Sequence, residues 1–113
     1  NLNIKIFKTF YKILNIQTYN LESKYLIFSG IGDPSDFKDI LVKNKFNIAR
    51  EIVFPDHYDY SLNDLEKIRN IAKNENLKII TTEKDFMKIP EEFNKEINFL
   101  TIDLVIQDEK KLI

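Results

Sequence analysis

The sequence contains a single histidine, His57, in the run Phe54-Pro55-Asp56-His57. An imidazole next to a carboxylate can move a proton near neutral pH, because the carboxylate fixes the tautomer and raises the ring's basicity. Asp56 and Asp59 flank it, and Tyr58 and Tyr60 surround it. Consecutive side chains tend to point apart, so the carboxylate partner is either Asp56 or one brought from elsewhere. The plainer reading is a loop histidine bonded to a backbone carbonyl. A second unusual segment is Ser29-Gly30-Ile31-Gly32-Asp33-Pro34, which holds the only two glycines. They serve either a tight turn that needs positive φ or a close approach of a ligand or a neighbouring domain to bare backbone beside a helix start. A third is Thr81-Thr82-Glu83-Lys84-Asp85. Lys84 suits a phosphate as a point charge and the hydroxyls of Thr81 and Thr82 suit an anion. The same letters also spell a capping box, with Thr82 as cap and Asp85 at the third helical position. Other charged pairs, such as Glu91-Glu92 and Lys110-Lys111, read as solvated surface.

Each of these segments follows an apolar run. Tyr25-Leu26-Ile27-Phe28 is continuous, as in a strand buried on both faces. Pro34 suits a first helical turn, and Phe37, Ile40 and Leu41 then recur at helical spacing up to a stop near Asn44. Asn47 to Phe54 reads as a second strand. Ser61 reads as an N-cap with Asp64 three residues on, opening a stripe of Leu62, Leu65, Ile68, Ile71 and Ala72. Leu77 to Ile80 is a third strand, followed by a short helix that Pro90 ends. Ile97 to Ile106 holds a fourth, and Gln107 to Ile113 a scrap of helix. At the start, Leu2, Ile4 and Ile6 alternate as in a strand. Phe7, Phe10, Tyr11 and Leu14 fit helical spacing instead, which leaves that part open.

Strands alternating with helices predict an α/β fold: a mainly parallel, Rossmann-like sheet flanked by helices, in one domain over residues 1–113. Parallel strands put all three unusual segments at the carboxyl edge, where open α/β sheets bind ligands.

Composition excludes several classes. Hydrophobic residues are 43% and charged residues 31%, the balance of a folded chain. A chain this long buries roughly 65% of its unfolded surface. With no cysteine there is no disulfide or thiolate metal site, and one histidine cannot build a multi-histidine site. A net charge of −1 gives no footprint for nucleic acid. No apolar stretch reaches the ~18 residues of a membrane span. Lys5, Lys8 and Lys12 interrupt any apolar core of a signal peptide. The first residue is Asn1 and the only methionine is Met87, as expected of a fragment or a processed product. No Gly is followed by Lys, so there is no Walker A loop.

Taken in order and spacing, Phe28-Ser29-Gly30-Ile31-Gly32-Asp33-Pro34, Phe54-Pro55-Asp56-His57 and Thr81-Thr82-Glu83-Lys84-Asp85 resemble the carboxyl-terminal half of the tetraacyldisaccharide 4'-kinases, the lipid A 4'-kinases of Gram-negative bacteria. The resemblance runs from about Lys24 to the fourth strand. It implies a lobe related to P-loop kinases but without the P-loop. The partner would be an amino-terminal lobe that carries the Walker A loop and usually a membrane anchor. It implies transfer of the γ-phosphate of ATP, with Mg²⁺, to the 4'-hydroxyl of a tetraacyldisaccharide 1-phosphate at the cytoplasmic face of the inner membrane. ATP and Mg²⁺ would be held mainly by the other lobe. An Asp of that lobe would act on the sugar hydroxyl, assisted by the histidine that maps onto His57, with Asp56 beside it. Ser29, Gly30, Gly32, Pro34 and Thr81 to Asp85 would line the cleft. The pattern departs from the family at Asp33, at Tyr58 where a second histidine is frequent, and at Phe86 and Met87. The isolated chain is expected to be inactive. The other classes left open are a small α/β module for an anionic ligand or a protein partner, and a non-functional remnant.

Overall fold

The architecture follows from which residues cannot face water. A computed structural model describes residues 7–13 and 20–108, and side chains over 20–101. The elements are β1 (Phe7–Ile13), β2 (Lys24–Ser29), α1 (Pro34–Lys43), β3 (Asn47–Val53), α2 (Leu62–Glu75), β4 (Lys78–Thr82), α3 (Glu83–Phe86), α4 (Glu91–Asn94), β5 (Ile97–Leu100) and β6 (Ile102–Asp108). The run Tyr25–Phe28 is buried on both faces of β2 and lies inside the sheet. That sheet is parallel, in the order β3-β2-β4-β5.

The period of two along β2 and β4 splits the core. Leu26, Phe28 and Ile79 face α2 through Leu65, Ile68 and Ala72, with Phe93 of α4 beside them. Tyr25, Ile27 and Ile80 face α1 through Phe37, Ile40 and Leu41. Helices therefore cover opposite faces, as right-handed crossovers require of this strand order. Truncating a side chain as enclosed as Leu65 or Leu41 costs about 2–5 kcal/mol.

Local chemistry sets the helix ends. Ser61 and Asp64 form the predicted capping box, with Asp64 N–H donating to Ser61 Oγ at 3.1 Å and Ser61 N–H to Asp64 Oδ2 at 2.9 Å. Helix α2 stops at Asn76, which is left-handed at φ 56°. Helix α1 stops at Asn44, whose side-chain amide donates to Ile40 O at 2.7 Å.

One open stretch is decided and three expectations change. Phe7–Ile13 is a strand, paired antiparallel with β6 from Phe7 opposite Asp108 to Ile13 opposite Ile102. The expected fourth strand is two strands separated at Thr101: β5 completes the parallel sheet and β6 leaves it for β1. Gln107 and Asp108 belong to β6 rather than to a helix. Pro90 does not end α3, which stops at Phe86; it sits at the N-cap of α4 with φ −62° and ψ 152°, the extended backbone a proline favours. The alternation at Leu2, Ile4 and Ile6 and the tail beyond residue 108 lie outside the described residues.

Strand β2 leads to β3 on one side, while β4 leads to β5 on the other. The connections leave the sheet centre in opposite directions, which opens a crevice between the carboxyl ends of β2 and β4.

Candidate active-site edge

The segments after β2 and β4 flank that crevice, and the segment after β3 lies beside them. Side-chain and backbone bonds join all three. Thr81, fully buried at the end of β4, donates its hydroxyl to Phe28 O at 2.8 Å. Ser29, also buried, accepts at its carbonyl from Phe54 N–H at 2.8 Å. Gly30 uses both sides of its backbone. Its N–H donates to both carboxylate oxygens of Asp85, at 3.2 Å each, and its carbonyl accepts from His57 N–H at 3.1 Å.

Neither glycine has positive φ. Their use is space, and the chain's own next loop fills it at Gly30. A Cβ there would stand 3.1 Å from Pro55 O, 3.1 Å from Tyr60 Oη and 3.2 Å from Tyr58 Cβ. A Cβ on Gly32 would meet only the Asp56 carboxylate, at 3.4 Å or more. Pro34 opens α1, and Asp33 caps it by accepting from Asp36 N–H at 3.3 Å and from the Ser35 hydroxyl at 2.7 Å. The Ser35 hydroxyl, then the Asp36 N–H, hold the Asp33 carboxyl below the ordinary range.

His57 is left-handed, at φ 60°. That conformation costs a non-glycine residue roughly 1–2 kcal/mol, so the surroundings must hold it. Its side chain is 72% exposed and points off the edge, with Nε2 3.7 Å from Asp56 Oδ2. The backbone is thus pinned while the imidazole stays available to a ligand or another segment.

Asp85 is only 1% exposed. It accepts from Gly30 N–H, from the Tyr60 hydroxyl at 2.9 Å and from the Thr82 hydroxyl at 2.6 Å. Thr82 also caps α3, its oxygen accepting from Asp85 N–H at 3.0 Å. The Thr82 cap is realised without the reciprocal half of the box, and the Asp85 carboxylate instead ties the three loops together. Burial, then the Asp85 charge, push the Tyr60 phenol up, so it stays a donor. Tyr58 donates to Asp64 Oδ2 at 2.8 Å, and that bond raises its phenol. Phe28, Phe54, Tyr58 and Tyr60 form one aromatic cluster, with Phe54 stacked on Tyr58 at 4.7 Å.

Glu83 and Lys84 stand apart from this knot. They border a cavity of about 590 Å³ whose other walls include Ile31, Phe37, Met87 and Leu100. Sequence reasoning missed Tyr60 as a tie to Asp85, and missed Lys88, whose ammonium donates to Tyr58 O at 3.2 Å. A buried aspartate needs donors, but no spacing in the sequence marks Asp85 as buried, so neither contact carried a signal. Among the described residues no group of three or more His, Cys, Asp or Glu could hold a metal ion. None of the helices among them is long and apolar enough to cross a membrane.

Residues 5–113 match the family described as tetraacyldisaccharide-1-P 4'-kinase, LpxK. The chain belongs to this family. It is 41% identical over 112 residues to the tetraacyldisaccharide 4'-kinase of Pelagibacter ubique, covering 99% of this chain and 36% of that protein. It is 40% identical over 88 residues to the enzyme of the same name from Rickettsia akari, covering 78% of this chain and 27% of that one. A solved structure of LpxK from Aquifex aeolicus in complex with ATP superposes with a TM-score of 0.57 at 27% identity, over 94% of this chain and 33% of that one. The chain thus spans about a third of the length of these tetraacyldisaccharide 4'-kinases.

Proposed function

We propose that this chain is the carboxyl-terminal α/β lobe of a tetraacyldisaccharide 4'-kinase, and that it supplies His57 to phosphoryl transfer. One observation carries the reading: at the crevice edge, the backbone of His57 is fixed to Gly30 while its imidazole projects outward. In the reaction, the 4'-hydroxyl oxygen of the tetraacyldisaccharide 1-phosphate bonds to the γ-phosphorus of ATP. The bond from that phosphorus to the β–γ bridging oxygen breaks, ADP leaves, and the hydroxyl proton passes to a carboxylate of the amino-terminal lobe. Such a transfer needs positioning and charge stabilisation far more than covalent help. His57 orients or polarises that carboxylate, with Asp56 steadying the imidazole. The described residues gather no three or more His, Cys, Asp or Glu around one point, and this reading assigns no step of this lobe to Mg²⁺. ATP and Mg²⁺ belong mainly to the P-loop lobe, and the lipid A precursor is met at the cytoplasmic face of the inner membrane. The Aquifex aeolicus relative was solved in complex with ATP, which supports ATP as the nucleotide.

Reconstitution tests it. The 113-residue chain alone is expected to show no ATP-dependent phosphorylation of tetraacyldisaccharide 1-phosphate. The same chain joined to the amino-terminal segment of the Pelagibacter ubique relative is expected to show it. A joined protein that folds, binds ATP and transfers no phosphate contradicts the reading.

A further inference from the structure

The loop that carries His57 is held from two sides by one buried carboxylate. The first grip passes through Gly30, whose N–H donates to Asp85 and whose carbonyl takes the N–H of His57. The second passes through Tyr60, three residues beyond His57, whose hydroxyl donates to Asp85 Oδ1 at 2.9 Å. Thr82 donates to the other oxygen at 2.6 Å. With these donors in place and 1% of its surface exposed, Asp85 presents nothing to a ligand; whatever it does, it does through its neighbours. It also lies past the last ladder bonds of β2 and β4, where the sheet itself no longer fixes the chain.

We propose that Asp85 and Tyr60 are positioning residues for His57: together they set where the left-handed histidine leaves the sheet edge and which way its imidazole points. The proposal rests on the reading of His57 as a working group in phosphoryl transfer. The Tyr60 ring has its own reasons to be where it is, packed edge-on against Phe28 at 5.4 Å and Phe54 at 5.0 Å. The ring's placement fixes where the hydroxyl oxygen stands, and Asp85 Oδ1 is the acceptor it meets there. The backbone strain at His57 is the second sign, since a left-handed histidine persists only where its surroundings over-determine it.

Truncating Asp85 risks the fold, so the test uses Tyr60→Phe, which keeps the ring and removes the donor. His57 is the only histidine, so its imidazole Cε1–H gives one unambiguous NMR signal in the 113-residue chain, and its backbone N–H gives a second. Tyr60→Phe is expected to move both. In the enzyme completed with a relative's amino-terminal segment, it is expected to lower kcat about tenfold while the KM for ATP stays within about twofold. Unmoved His57 signals overturn the proposal whatever the turnover. Moved signals with full turnover also overturn it, provided His57→Ala in the same enzyme is impaired. If His57→Ala itself keeps full turnover, the reading of His57 fails instead, and moved signals still uphold the positioning.

Discussion

The two edges of the parallel sheet are held by different kinds of bond. At the amino edge the side-chain ties include local and exposed ones beside a half-buried one from the Asn98 amide to Ile79 O at 3.1 Å. Glu22 N–H reaches Asn20 Oδ1 at 2.9 Å, the Tyr25 hydroxyl reaches Asn20 O at 2.7 Å, and Arg50 pairs with Glu75 at the surface, Nε to Oε1 at 2.9 Å. At the carboxyl edge the ties are buried and join segments far apart in sequence, Gly30 to Asp85 and Phe28 to Thr81. Solvated polar contacts at a strand start can be lost and replaced by water at little cost. A buried carboxylate with several donors cannot be, because each orphaned donor is left without a partner. The contrast locates the part of the molecule where geometry is held tightly, and it is the part that holds His57.

Substitutions can break or sharpen this contrast, the largest first. Asp85→Ala strands the Gly30 N–H and the hydroxyls of Tyr60 and Thr82, and is expected to cost about 3 kcal/mol in urea unfolding. A loss no greater than that of a surface carboxylate would erase the distinction between the edges. Gly30→Ala comes next. Its Cβ meets two backbone or near-backbone atoms that cannot swing away, and overpacking of this kind costs about 1–3 kcal/mol. Gly32→Ala faces only an exposed carboxylate at 3.4 Å and is expected to leave the urea midpoint nearly unchanged. The pair therefore separates close approach from any general need for glycine. At the other edge, Glu75→Gln removes an exposed ion pair, and thermal unfolding is expected to shift within the error of the measurement.

Acid supplies an effect smaller than those at Asp85 and Gly30. Asp64 is held below the ordinary carboxylate range, first by the Ser61 N–H and then by the Tyr58 hydroxyl. A folded-state pKa depressed in this way contributes stability that is complete above the unfolded value and is lost as pH falls through the folded one. Asp64→Asn is therefore expected to flatten the fall in urea midpoint between neutral pH and about pH 3. An unchanged slope would mean that the capping box and the Tyr58 bond contribute nothing through charge.

Much of this was legible in the chain of letters, and the limits have a common cause. Tyr25–Phe28 reads as a doubly buried strand because continuous apolar residues admit little else. Phe37, Ile40 and Leu41, and then Leu65, Ile68 and Ala72, read as helix faces because their spacing is the face. Phe7, Phe10 and Tyr11 stayed undecided because a strand's evidence lies in its partner, here some hundred residues away at Asp108. Nothing local at Thr101 announces that one apolar segment divides between two sheets. At the carboxyl edge, parallel strands sufficed to bring Gly30 and His57 within a single hydrogen bond. Two finer points were out of reach. The glycines answer to the approach of residues 55–60, which no local φ preference encodes. The bond from Tyr60 to Asp85 spans 25 positions, beyond any spacing rule.

The central claim is that the pinned loop delivers a working imidazole to the crevice. Turnover of the His57→Ala variant of the completed enzyme, at saturating ATP and tetraacyldisaccharide 1-phosphate, tests it most directly. The account predicts a fall in kcat of about a hundredfold or more, with ATP affinity close to that of the parent. Turnover equal to the parent's would contradict it.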